Sequence, residues 1–190
     1  RIRPTAAGNV INLGGIVNAQ QISSRDGQLS LVARGGDPQS GGGVIQTGTV
    51  TADRTVLDVV GDYTQSGSLT TGRLDLAVTG DAMLYHPGNQ IAAIGGTVGK
   101  NLTVNNAVAL GQSGSLSVTG ATTIDTGTGN DILLTPAGNR FGGELTLTGG
   151  NVTVNAASAL QLGKVQATSL GVTSGGALNL GQDIPEIGSA

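Results

Sequence analysis

The feature that most restricts what this chain can fold into is a short unit written along it again and again: two aliphatic residues separated by one other, followed by Gly, Asn, Ser or Thr. Examples are Leu29-Ser30-Leu31, Leu74-Asp75-Leu76, Leu102-Thr103-Val104, Leu116-Ser117-Val118, Leu145-Thr146-Leu147, Val152-Thr153-Val154, Leu160-Gln161-Leu162, Leu170-Gly171-Val172 and Leu178-Asn179-Leu180. Alternation at period two puts both aliphatics on one face and the middle residue on the other, which predicts half-buried strands of about three to five residues. Equivalent units recur at one and the same step from Val152 to Leu170 and from Leu160 to Leu178. A fixed recurrence of about 20 residues is the mark of a solenoid, because each unit is too small to bury its own aliphatics and must stack on its neighbours. The expected fold is all-β, a right-handed parallel β-helix (β-solenoid) of about ten coils of roughly 18–20 residues, with rungs about 4.8 Å apart and a rod about 45–50 Å long.

Composition supports a narrow tube. The aromatics are Phe141, Tyr63 and Tyr85 alone, there is no Trp, and Gly accounts for 34 of 190 residues. Small and β-branched side chains suit a pleated wall, and Gly and Asn suit tight corners. A sandwich or up-and-down barrel should show several two-residue hairpin turns. Asp26-Gly27 is the one such dipeptide here. Residues 1–182 read as a single β-helix segment and 183–190 as a tail or connection. Residues 37–43 (Asp-Pro-Gln-Ser-Gly-Gly-Gly) and Tyr85–Gly88 read as excursions from the rod. Neither end shows a polar cap, so open strand edges and end-to-end association are expected.

Several function classes are disfavoured. A net charge of −3 with nine scattered Lys and Arg gives no basic footprint for nucleic acid. No apolar run approaches the roughly 20 residues that span a bilayer, so the chain is not expected to be transmembrane, and with no Cys there is no thiolate site. A β-helix carbohydrate-active enzyme would project carboxylates and basic residues in one register. Here Asp53-Arg54 with Asp58 is the densest group and reads as a solvated turn, and His86 is the single histidine. No catalytic residue, cofactor or metal ligand is nominated. Gly127-Thr128-Gly129-Asn130-Asp131-Ile132-Leu133 has the form of one calcium-binding nonapeptide but lacks the tandem copies that chemistry needs, so it reads as an ordinary turn. Asn101-Leu102-Thr103 and Asn151-Val152-Thr153 fit the glycan-acceptor pattern, which makes Asn101 and Asn151 candidate glycosylation sites. The commoner role of such Asn residues is a turn position or an amide ladder between coils.

The stretch Gly138-Asn139-Arg140-Phe141-Gly142-Gly143, followed by Leu145-Thr146-Leu147-Thr148-Gly149-Gly150-Asn151-Val152-Thr153-Val154 and Ala159-Leu160-Gln161-Leu162-Gly163-Lys164-Val165-Gln166-Ala167, resembles the repeats of the filamentous haemagglutinin family. His86-Pro87-Gly88-Asn89-Gln90-Ile91-Ala92-Ala93-Ile94-Gly95-Gly96, followed by Leu102-Thr103-Val104, is similar to a variant of the same repeat. The resemblance covers residues 85–182 clearly and the first half loosely. It implies a secreted exoprotein on the surface of a Gram-negative bacterium, exported through a partner pore in the outer membrane (two-partner secretion). It also implies an adhesive or structural shaft that meets host or neighbouring cells and their glycans. Some adhesins of that family carry glycans at Asn sites of this kind.

Overall fold

The computed structural model describes residues 16–17, 21–33 and 43–181. All the regular elements there are strands: β1 Ile16–Val17, β2 Gln21–Arg25, β3 Gln28–Ala33, β4 Gly43–Gln46, β5 Val50–Val59, β6 Asp62–Gln65, β7 Leu69–Val78, β8 Ala82–Leu84, β9 Gln90–Ile91 and β10 Ala93–Val98. They continue as β11 Leu102–Asn105, β12 Gly111–Val118, β13 Thr122–Asp125, β14 Ile132–Leu134, β15 Arg140–Phe141, β16 Glu144–Thr148, β17 Asn151–Ala156, β18 Leu160–Gln166, β19 Ser169–Ser174 and β20 Leu178–Leu180. Three sheets form the walls of a β-solenoid. Sheet A runs β1-β4-β6-β8-β11-β13-β16-β18-β20, sheet B runs β15-β12-β10-β7-β5-β3-β2 with β9 beside β7, and sheet C runs β14-β17-β19.

Strands adjacent in a sheet are about one coil apart in sequence and parallel. In sheet A, Gly43 pairs with Asp62, Tyr63 with Ala82, Ala82 with Leu102, Leu102 with Thr122, Thr122 with Leu145, Leu145 with Leu162 and Leu160 with Leu178. The steps are uneven, longest from Thr122 to Leu145 and shortest from Leu145 to Leu162, and together they make about seven turns, not the expected ten. The expectation divided the whole length by one coil, whereas the parallel coils of sheet A begin at Gly43. At about 4.8 Å per step the stack is on the order of 35 Å long.

The apolar units fill the tube. Leu29, Leu31, Leu74, Leu76, Leu102, Val104, Leu116, Val118, Leu145, Leu147, Val152 and Val154 are all buried, in one cluster running the length of the stack. The ten-residue β5 and β7 are longer than expected because each turns a corner without breaking its ladder. Two successive exposed residues, Asp53-Arg54 and Gly72-Arg73, interrupt the alternation at the same register.

At the low-numbered end the parallel pattern stops. β1 pairs antiparallel with β4, and β2 pairs antiparallel with β3. The β2–β3 turn is Asp26-Gly27, both at positive φ (49° and 76°), and Arg25 faces Gln28 across it. That is the two-residue hairpin for which Asp-Gly is suited. These two antiparallel pairs depart from the parallel stacking of the rest of the tube. Of the expected excursion at residues 37–43, all but Gly43 lies outside the described residues, as does the tail 183–190. Tyr85–Gly88 is no excursion but a tight corner between β8 and β9, closed by the Asn89 N–H donating to the His86 carbonyl (3.1 Å).

Candidate functional site: the stacked corners and the outer faces

Where a corner leaves the sheet ladder, every backbone group that it buries needs a new partner. Asn89 supplies them. Fully buried, its Oδ1 accepts from the Leu69 N–H (2.8 Å) and Gln65 Nε2 (2.8 Å), while its Nδ2 donates to Gln65 Oε1, Leu84 O and Asn105 O. Asn139 repeats the pattern: Oδ1 accepts from Leu116 N–H and Gln112 Nε2, and Nδ2 donates to Gln112 Oε1, Leu134 O and Asn155 O. In the lower coils the buried Gln46 does similar work. Its Nε2 donates to the carbonyls of Gly48, Gly67 and Ser68, and its Oε1 accepts from the Tyr63 hydroxyl. Burial pushes the Tyr63 phenol well above its ordinary range, so it stays neutral.

The two Asn corners belong to one internal repeat, fifty positions apart. Asp81 Oδ1 accepts from the Asn101 N–H and Nδ2, as Asp131 Oδ1 accepts from the Asn151 N–H and Nδ2. Asn105 Nδ2 donates to Tyr85 O, as Asn155 Nδ2 donates to Thr135 O. Yet β8 and β11 lie in sheet A while β14 and β17 lie in sheet C. The repeat is therefore not a whole number of coils, and its second copy sits on a different face of the tube.

The candidate glycosylation sites Asn101 and Asn151 occupy equivalent, exposed rung starts in these copies. Their Nδ2 atoms, where a glycan would attach, are held by Asp81 and Asp131 at 2.9 and 3.0 Å. They serve as the expected ladder between coils: the Asp62 carboxylate accepts from Asp81 N–H, Asp81 from Asn101, and Asn101 Oδ1 from Ala121 N–H. An Asp one coil before each Asn was the sequence signal for this ladder.

Asp53, Arg54 and Asp58 all lie on β5. Arg54 Nε meets Asp75 Oδ2 (2.6 Å), which Arg73 Nε also reaches on Oδ1 (2.8 Å), and both Arg side chains are nearly half exposed. Exposed pairs of this kind contribute about 0–1 kcal/mol. His86 Nδ1 accepts from Gly88 N–H within its own corner. In the Gly127–Leu133 stretch, Asn130 N–H donates to Gly127 O and Thr126 Oγ1 to Asn130 O, and the turn is tied to the coils either side through Leu110, Gly150 and Asn151.

The outer face of sheet A carries a column that climbs the rungs in register: Ile45, Thr64, Met83, Thr103, Thr123 and Thr146. The next outward column includes Asn105 and its register partner Asp125. Between that pair and Pro87, a surface cavity of about 250 Å3 is lined by Pro87, Asn105, Asn106, Asp125, Thr126 and Gly127.

Residues 88–148 match the model of a family described as repeats of unknown function (DUF5649). The match spans about a third of the chain, from the Asn89 corner through the start of the second copy. Neither a curated protein nor a solved structure matches the chain.

Proposed function

We propose that this chain is a structural and adhesive shaft segment of a secreted, filamentous cell-surface exoprotein, related to the filamentous haemagglutinins and exported by an outer-membrane partner. The observation that carries the reading is the sheet A column Thr103, Thr123 and Thr146, which presents short polar side chains one rung apart on parallel ladders that run along the axis. Ladders in that direction resist bending, and identical weak contacts repeated along a rod add through effective concentration. The outer surfaces of such a rod would meet host or neighbouring cells and their glycans. The test is electron microscopy together with adhesion of chain-coated beads to epithelial cells. Rods one β-helix wide with about 35 Å of solenoid per chain, and beads that adhere above albumin-coated controls, are the expected result. Compact particles, or beads that adhere no better than controls, would refute the reading.

A second reading, a subunit that assembles end to end, is favoured by Leu178 and Leu180 of β20. They are 43% and 61% exposed, whereas Leu160 and Leu162 on the rung below are buried. Filaments that lengthen with protein concentration would establish it.

A further inference from the structure

We propose that the cavity between Pro87, Asn105 and Asp125, with Tyr85 beside it in the same outward column, binds a single pyranose ring of an uncharged glycan. The proposal rests on the adhesive reading above and names its ligand. The cavity, about 250 Å3, is smaller than the roughly 300–1,000 Å3 of pockets that enclose drug-sized ligands, so it suits one ring and not an extended molecule.

Its free polar atoms are acceptors. Asn105 Nδ2 is spent on the Tyr85 carbonyl (2.7 Å), and among the described residues its Oδ1 has no partner. Asp125 Oδ1 accepts from the Gly127 N–H (2.8 Å), which leaves Oδ2 open. The two side chains are register partners on adjacent rungs, so their open acceptors stand on strands about 4.8 Å apart. The Thr126 hydroxyl is already donating to Asn130 O and Thr148 O. A ligand here must bring donors, as sugar hydroxyls do. With no Lys or Arg in the lining, an anion is disfavoured. One carboxylate and one amide oxygen also fall short of the six to eight oxygens that calcium takes.

Apolar surface completes the site. The Pro87 ring lines the cavity; Tyr85, 43% exposed and outside the lining, stands one rung before Asn105 with its hydroxyl donated to the Met83 sulfur. Flat apolar rings of this kind suit the C–H face of a pyranose, while the polar groups fix its orientation.

The second copy of the repeat serves as an internal control. It keeps the frame: Asn155 Nδ2 donates to Thr135 O, and Ala157 N–H donates to Asn139 O as Ala107 N–H does to Asn89 O. Thr135 stands where Tyr85 is, Ala137 where Pro87 is, and Thr173, the partner of Asn155, where Asp125 is. The fold therefore builds this corner without the aromatic ring or the carboxylate, and with its proline one position earlier, at Pro136. Asp125 Oδ1 caps Gly127 in the first copy, so the features that the corner itself does not require are the open Asp125 Oδ2 and the Tyr85 ring.

The experiment is saturation-transfer NMR on the 190-residue chain in EDTA, with the methyl glycosides of glucose, galactose, mannose and N-acetylglucosamine at about 10 mM, where millimolar binding registers. Transfer to at least one glycoside is expected. Tyr85→Thr and Asp125→Thr, which copy residues that the second corner already accepts, should each weaken it about tenfold with unchanged far-UV circular dichroism. Thr135→Ala should leave it intact. No transfer to any of the four, transfer that needs added calcium, or transfer indifferent to both first-corner variants would overturn the site. Bead adhesion separates this proposal from the broader reading. Native beads that adhere while no glycoside binds refute the site alone; glycoside binding with no adhesion upholds the site and refutes the adhesive shaft.

Discussion

Asn89 and Asn139, fifty positions apart and on corners between different pairs of sheets, make the same five side-chain hydrogen bonds: two accepted by Oδ1 and three donated by Nδ2. The network is a property of the corner and not of the face on which it lies. Each amide serves a backbone N–H, two carbonyls and a Gln side chain.

Asn89→Ala and Asn139→Ala are therefore expected to cost similar amounts, each at least about 3 kcal/mol, because several buried groups lose their partner at about 1–3 kcal/mol apiece. Urea unfolding of the two variants checks this. A loss below about 1 kcal/mol at either site would mean that water or a neighbouring group replaces the amide.

Tyr63 carries a pH prediction. Burial raises its pKa above the ordinary 10.0, so the folded chain keeps the phenol neutral where the unfolded chain ionises. The stabilisation from this group is complete below about pH 10 and is lost as pH rises beyond it, at up to about 1.4 kcal/mol per unit. At neutral pH, Tyr63→Phe should cost about 1–3 kcal/mol by orphaning Gln46 Oε1. That gap to the native chain should narrow in urea titrations carried from about pH 8 to pH 11. Parallel curves would show that the phenol is open to solvent.

Thr122 is a local conflict within the core. It occupies an inward position between Leu102 and Leu145 on the rungs either side, and its hydroxyl is buried without a hydrogen-bond partner. Thr122→Val should raise stability by about 1 kcal/mol or more, since it removes an uncompensated polar group and keeps the shape. A loss in the thermal midpoint would indicate a partner for Oγ1 in solution.

The walls of the solenoid were legible in the sequence because an aliphatic pair at period two leaves few alternatives. Leu102-Thr103-Val104 and Leu145-Thr146-Leu147 lie as the alternation predicts. The corners were not, because apolar periodicity is blind to a polar residue that faces inward. Tyr85–Gly88 looked like a departure from the rod when Asn89 in fact pins it there. Coil number was overestimated because one coil length was applied throughout. The coil from Thr122 to Leu145 is longer than its neighbours, and β1 and β2 pair antiparallel. The Asp26-Gly27 hairpin is legible as a dipeptide, but a single such turn does not indicate which strands it joins. The Asn105, Asp125 and Pro87 cavity was hidden because its members lie on successive coils, far apart in sequence, and meet only through register.

Leu160 and Leu178 are register partners on the last two strands of sheet A, one buried and the other 43% exposed. Leu160→Ala should cost about 2–5 kcal/mol, as for a filled core position. Leu178→Ala should cost less than about 1 kcal/mol in a monomer, because little apolar area is removed from water there. If chains associate through β20, Leu178 becomes a core residue of the assembly. Its substitution would then cost as much as that of Leu160, and the native thermal midpoint would rise with protein concentration. Equal midpoints across a hundredfold dilution, with Leu178→Ala nearly silent, would exclude end-to-end assembly and leave the shaft as a monomeric rod.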